Sequence, residues 1–146
     1  MDVPTLLTAM AEYIRTIPGV ASAHYPAPNA LQAAECPAVV MFWGGVDETT
    51  VDHSNATSGT LWLPRVMARV YIPREGDSPQ EFAKLDAMVT PLVDAFAVPV
   101  NSIPTLAGKV HRCRITRIRP MLQTEYAGHQ YVVAEFYFDI KFHRRG

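Results

Sequence analysis

Apolar residues spaced three or four positions apart predict two helices in this chain. The first runs through VPTLLTAMAEYIRTIPG, where Pro4 suits the first turn and Pro18-Gly19 ends the element. The second begins at Ser78, because Ser78-Pro79-Gln80-Glu81 follows the capping-box pattern with proline at the first helical position. Pro91 has no backbone N–H, so we expect a kink or a break near the last turn of this helix.

Continuous apolar runs and alternating apolar positions predict strands between and after the helices. AVVMFWGG, residues 38–45, is a continuous apolar run that ends at a glycine pair, which is typical of a buried strand. TLWLPRVMARVYIPR, residues 60–74, is a long strand with an edge or a bulge at Pro64. Residues 130–142 alternate, so one face should pack on a core and the other should meet solvent or a partner. That second face carries Tyr131, Glu135, Tyr137, Asp139 and Lys141.

Two further stretches are expected to be mostly irregular. Residues 20–37 contain three prolines and should cross the molecule, with a short strand near Ala21 to His24. Residues 46–59 are polar and turn-rich, which predicts an exposed loop that contains Asp47, Glu48, Asp52 and His53. Asp52 and His53 could bind a metal with a neighbouring carboxylate, but a solvated acidic loop is far commoner, so no metal is expected.

The order of these elements predicts one α+β domain over residues 1–146. The sheet should be antiparallel or mixed, the helices should pack on one of its faces, and the last two strands should form a long C-terminal β-hairpin. A chain of 146 residues, 49% of them hydrophobic, is long and apolar enough to bury a core.

Positive charge is concentrated in VHRCRITRIRP, residues 110–120. Residues 1–108 hold 5 basic and 11 acidic groups, and residues 109–146 hold 8 basic and 3 acidic groups, so the two parts carry −6 and +5. Opposite charges on one molecule favour assembly with copies of itself. Strand alternation places Arg112 and Arg114 on one face and Arg117 and Arg119 on the other, unless a bulge intervenes. Without a single basic stripe, sequence-specific binding of nucleic acid is not expected.

The sequence contains no motif that calls for catalysis. There is no G-x-S-x-G, no phosphate-binding glycine loop and no helical pair of zinc ligands, so we expect neither an enzyme nor a cofactor. Cys36 and Cys113 should be free thiols. No apolar run reaches the ~18 residues of a membrane span and no signal pattern is present, which predicts a protein of the cytoplasm with no membrane partner. Trp43 and Trp62 are core residues or exposed interface anchors, and the glycine beside the strand end favours the core.

The whole layout resembles the tail terminator, or tail completion, proteins of long-tailed bacteriophages. The resemblance covers nearly the full length. It consists of the opening helix with its Ile17-Pro18-Gly19-Val20 end, the proline-broken crossing, the AVVMF strand, the strand PRVMARVYIPR, the capped helix, and the closing hairpin that ends in YVVAEFYFDIKF. The predicted loop over residues 47–59 matches no feature of that family.

The resemblance implies a structural virion protein that forms a ring, commonly a hexamer, at the end of the tail tube. The ring ends tube polymerisation and provides the surface for head-tail joining. The implied partners are further copies of the chain, the tail tube protein and the head-tail connector or neck protein, while DNA passes through the lumen without sequence-specific binding. The implied location is the tail end or neck of the virion, with assembly in the host cytoplasm. The expected interface residues are Arg65, Arg69, Arg112, Arg114, Arg117, Arg119, Tyr131, Glu135, Tyr137, Asp139 and Lys141.

Three other functions fit parts of the sequence. A phage neck or head-completion adaptor would have much the same layout. A small anion-binding or enzymatic α+β domain could use His111, Arg112 and Arg114, and its minimum requirement is a pocket that joins those side chains. A nucleic-acid module would show binding that weakens steeply with salt.

Overall fold

The computed structural model describes residues 2–51, 59–76, 78–106 and 110–144. Two single 3₁₀ turns, Ala33–Glu35 and Val100–Ser102, lie in the connections. The helices and strands, in chain order, are α1 (Val3–Ile14), β1 (Ser22–His24), β2 (Ala38–Val51), β3 (Gly59–Pro73), α2 (Ser78–Ala97), β4 (Arg112–Tyr126) and β5 (His129–Arg144).

The described strands form one mixed sheet with helices on one face, which confirms the predicted α+β class. The strand order is β1-β2-β3-β5-β4, with β1 parallel to β2 and every other pair antiparallel. β4 and β5 form the long C-terminal hairpin. The main core lies between the helices and the sheet, and β5 contributes one alternating set to it: Val132, Ala134, Phe136, Phe138, Ile140 and Phe142.

Both helices begin where the sequence predicts. The side chain of Asp2 caps α1, since its Oδ1 accepts a hydrogen bond from the Thr5 N–H at 2.8 Å. α2 does not end at Pro91 but continues to Ala97. Leu92 and Phe96 follow Pro91 and are buried in the core, so their packing holds the last turns despite the backbone hydrogen bond that proline cannot donate.

A second, smaller core covers part of the opposite face of the sheet. The crossing between β1 and β2 places Leu31 against Tyr71, Tyr131 and Val133. The Tyr131 hydroxyl donates to the Leu31 carbonyl at 2.9 Å, and the Tyr126 hydroxyl donates to the Pro28 carbonyl. Tyr131 is therefore only 3% exposed, and the prediction that its side chain meets solvent or a partner is wrong.

β2 does not stop at its glycine pair. The ladder with β3 shifts register between Trp43 and Val46, where Gly45 takes a φ of +115° that suits glycine, and then continues to Val51. Asp47 and Glu48 pair with Leu63 and Trp62, so the prediction that they lie in a loop is wrong. Cross-strand hydrogen bonds extend the hairpin through these polar residues. Asp52 and His53 lie outside the described residues.

The irregularity predicted at Pro64 is found beside it, because the bulge lies in β2 and the ladder between β3 and β5 keeps its register past Pro64. Pro64 pairs with Val46, directly after the register shift in β2. On its other side, the ladder between β3 and β5 pairs Trp62 with Phe142 and next Val66 with Phe138. Because proline cannot donate a ladder hydrogen bond, this gap is where a central strand can accommodate it.

Candidate binding surface on the open face of the sheet

A bulge in β4 brings its four arginines to one face of the sheet. The pairing of β4 with β5 runs from Arg114 opposite Asp139 to Arg117 opposite Tyr137, with a register shift between Ile115 and Arg117. One extra residue in β4 inverts the alternation, so residues on either side of the bulge point the same way. The prediction of two arginines on each face is therefore wrong. A bulge was the exception named with that prediction, and β4 contains one.

The part of the sheet that neither the helices nor the crossing covers carries most of the chain's positive charge. We call this surface the arginine face. β4 and β3 contribute arginines on either side of β5, which supplies two carboxylates and a lysine. Among the residues whose side chains the structure describes, this face has seven cationic and two anionic groups with a net charge of +5: Arg65, Arg69, Arg112, Arg114, Arg117, Arg119, Lys141, Glu135 and Asp139.

Glu135 anchors one half of the arginine face. Its Oε2 lies 2.7 Å from Arg69 Nε, and its Oε1 lies 3.6 Å from Arg119 Nη1 and accepts a hydrogen bond from the Tyr137 hydroxyl at 3.0 Å. Burial alone would raise the pKa of Glu135, but the hydrogen bonds from Arg69 and Tyr137 and the charges of Arg69 and Arg119 outweigh it. The pKa of Glu135 is therefore lowered, and this buried carboxylate stays ionised.

Asp139 holds two arginines in the other half. Its Oδ2 lies 2.7 Å from Arg112 Nε and 3.6 Å from Arg114 Nε. The buried Nε of Arg112 is not aligned for a hydrogen bond with this oxygen, so the 2.7 Å contact acts through charge. Glu135 thus binds one arginine from each neighbouring strand, Asp139 binds two arginines of β4, and the carboxylates fix where these arginines lie.

Aromatic rings support two of the guanidinium groups. Arg69 lies over the Phe42 ring and Arg117 over the Tyr137 ring, each 5.5 Å from the ring centroid. Arg69, Phe42 and Tyr137, but not Arg117, line an open groove of about 940 Å³. Its lining includes Phe42, Arg65, Met67, Arg112, Tyr137 and Lys141.

Most of the predicted interface residues come together here. The arginines, Tyr137, Asp139 and Lys141 lie on one surface, whereas Tyr131 is buried under the crossing. Glu135 belongs to the arginine face but is 3% exposed, so the prediction that its side chain meets solvent or a partner is wrong, because arginines from both neighbouring strands close over it.

This groove does not join the three side chains of the alternative anion site, because it includes Arg112 but neither His111 nor Arg114. Among the described residues, no group of His, Cys, Asp and Glu could hold a metal ion. The cationic side chains of this surface can bind anions.

Two aromatic residues near the groove were not predicted correctly. Trp43 is 44% exposed at the β2 bulge, so the prediction that it belongs to the core is wrong. Phe42 lies under Arg69, yet AVVMF is apolar at every position and gives no alternation that would assign faces. The only feature of the sequence that could have assigned Phe42 to this surface is its position next to Trp43 and the glycine pair.

The remaining observations concern the cysteines, the helices and the comparison with known proteins. Cys36 and Cys113 are free thiols. In the described parts of the chain, no helix is long and apolar enough to cross a membrane. Protein-family models and curated proteins, when compared with this chain, give no match.

Proposed function

We propose that this chain is a structural subunit of a ring that caps the tail tube of a long-tailed bacteriophage. The observation that carries the proposal is the segregation of charge in the fold. The arginine face holds a net charge of +5 in a chain of net charge −1, so all other residues together carry −6. A subunit with one strongly basic face and an acidic remainder is suited to ordered contacts with copies of itself and with other proteins.

The dimensions of the sheet also support an assembly role. β5 has 16 residues and β3 has 15, which corresponds to strands about 50 Å long. α2, with 20 residues, is only about 30 Å long. α2 alone therefore does not span the length of the sheet, and a neighbouring subunit could contact the sheet beyond it.

Trp43 is a specific candidate for such a contact. A tryptophan is large and amphipathic, and residues of this type dominate the binding energy of many protein interfaces. Its exposure beside a glycine bulge leaves room for a partner. We assign it to a contact between subunits, with charged residues outside the arginine face available to set the orientation.

In this proposal the ring ends tube growth, meets the tail tube protein on one side and the head-tail connector on the other, and lies at the tail end of the virion. DNA passes through its lumen. The same chain in a neck or head-completion role would bind the connector and ignore tubes, so binding to isolated tubes separates the two functions.

The test combines assembly and tube binding. Purified chain is mixed with tubes polymerised from a candidate tail tube protein, and the tube ends are imaged by electron microscopy. The proposal expects ring-shaped caps on one end of each tube and shorter tubes when the chain is present during polymerisation. Trp43→Ala should reduce capping, while Val98→Ala, a change at an exposed apolar residue directly after α2, should not. Tubes of unchanged length with bare ends contradict the proposal.

A further inference from the structure

We infer that the arginine face binds the phosphodiester backbone of nucleic acid without reading its sequence. The inference goes beyond the proposed ring, because a single chain should bind the ligand whether or not it assembles. Unbroken strand alternation would divide the four arginines of β4 between two faces, which would disfavour binding to nucleic acid. The bulge between Ile115 and Arg117 instead places all four on the same face.

The arginines keep donors available for a ligand. Arg112 and Arg114 contact Asp139 through Nε, the inner nitrogen of the guanidinium group. A guanidinium group has five N–H donors, and the other four are on the two outer nitrogens. The side chain of Arg114 is 60% exposed. These outer nitrogens suit the paired oxygens of a phosphate, which guanidinium groups bind in a two-point fashion.

The cations form lines rather than a compact cluster. Successive side chains on one face of a strand are about 7 Å apart, so Arg112, Arg114, Arg117 and Arg119 follow the length of β4 in a row. Arg65 and Arg69 form a second row on β3, about 10 Å away across β5. A linear array of cations matches a linear polyanion such as a nucleic-acid backbone. Binding through its regularly spaced phosphates depends on charge and does not require a shaped pocket.

The centre of the face favours nucleic acid over an acidic protein. The cores of protein–protein interfaces are depleted in charged residues. Here the centre consists of Glu135 and Asp139 with the arginines that bind them. Interfaces with DNA are more polar and much more positively charged, which describes this surface.

The two carboxylates do not cancel the attraction. Glu135 is buried beneath Arg69 and Arg119, and Asp139 lies against Arg112 and Arg114. Each acidic group is therefore neutralised locally by two cations, and the set keeps its net charge of +5. The carboxylates position the guanidinium groups before a ligand arrives, which lowers the entropy cost of binding.

The test uses fluorescence anisotropy with a labelled DNA duplex of mixed sequence and with one of its strands. Both are titrated with the full chain between about 50 and 200 mM salt. We expect affinity to fall linearly with salt on logarithmic axes. Arg114→Ala and Arg117→Ala should each reduce the magnitude of that slope by about 0.9 for the duplex or about 0.7 for the single strand. The comparison of the two DNA forms identifies which one the face prefers.

The control is Lys84→Ala, which removes one exposed positive charge from α2 and should leave the slope unchanged. Thermal melting of each variant verifies that it is folded. Absence of DNA binding at about 50 mM salt overturns the inference. It is also overturned if Lys84→Ala changes the salt dependence of the affinity as much as Arg114→Ala and Arg117→Ala do. Tighter binding of poly-glutamate than of DNA also overturns it and assigns the face to an acidic protein. Sedimentation of the same samples reports assembly separately, so loss of DNA binding is not confused with loss of the ring.

Discussion

Arg69 on β3 and Glu135 on β5 face each other across the sheet, with Arg69 Nε 2.7 Å from Glu135 Oε2. The carboxylate is buried, receives a second hydrogen bond from Tyr137 and lies near Arg119. This contact joins the two arginine-bearing strands through β5. It also makes Glu135 the group on which the geometry of the arginine face depends most.

Replacing Glu135 with glutamine should destabilise the fold by about 1–3 kcal/mol at neutral pH, because the buried partner of the arginines loses its charge. The pKa of Glu135 is lowered in the folded state, so its contribution is present above the unfolded value and is lost as pH falls through the folded pKa. Urea unfolding at decreasing pH should therefore show the variant and the natural protein converging in acid. Glu125→Gln, at an exposed position of the same hairpin, is the control with little expected effect. If the free energies of unfolding of Glu135→Gln and the natural protein differ by the same amount at every pH, the ionised Glu135 carboxylate is not the source of the difference.

Deleting Thr116 should severely destabilise the protein. Without the extra residue of the bulge, one half of β4 must turn its side chains over, which places arginines against the core or Cys113 and Ile115 in solvent. Circular dichroism should show a large fall in melting temperature or loss of cooperative unfolding. Thr116→Ser keeps the residue count and should change stability by less than about 0.5 kcal/mol. A stable deletion variant would mean that the bulge does not set the arginine positions.

Replacing Ala127 with asparagine should stabilise the C-terminal hairpin. Ala127 and Gly128 form its two-residue turn with φ values of +52° and +84°, and alanine is strained in this left-handed conformation. Asn-Gly is the preferred pair for such a turn, so denaturant unfolding should show a gain of about 0.5–1 kcal/mol. Ala127→Val should instead be destabilising, since a β-branched residue suits this conformation worst. Equal stability of the two variants would contradict the turn geometry.

Cys113 should be unreactive towards alkylating agents in the folded protein. It is buried, and that burial, with a smaller effect from the charge of Asp139, raises its pKa to about 12. Cys36 is half-buried, so the folded chain should be labelled there first and at Cys113 only in denaturant. Mass spectrometry of peptides after iodoacetamide treatment measures this directly. Labelling of both thiols at similar rates under native conditions would place Cys113 outside the core.

The sequence was most informative where one periodicity extends over many residues. The alternation in β5 identified which side chains enter the main core, and the capping box at Ser78 identified the start of α2. The faces of β4 were not predictable, because the bulge near Thr116 contains no glycine or proline that would mark it. The alternation in β5 could not reveal that the crossing covers Tyr131, since coverage by a distant segment depends on the tertiary fold.

Local composition was misleading at the end of β2. Gly44 and Gly45, followed by the polar stretch with Asp47 and Glu48, indicated a strand end and a loop. In the structure, the glycine pair accommodates a bulge and the strand continues, because pairing with β3 satisfies the backbone of these polar residues. The same bulge leaves Trp43 exposed, which is the feature that links the fold to the proposed assembly.

The most direct test of the proposed ring is sedimentation equilibrium of the purified full chain over a wide range of concentrations, alone and with short tail tubes. The account predicts one closed oligomer whose mass is a fixed multiple of the 16.2 kDa chain, formed in solution or on tube ends. A chain that stays at 16.2 kDa at every concentration and does not sediment with tubes would contradict it.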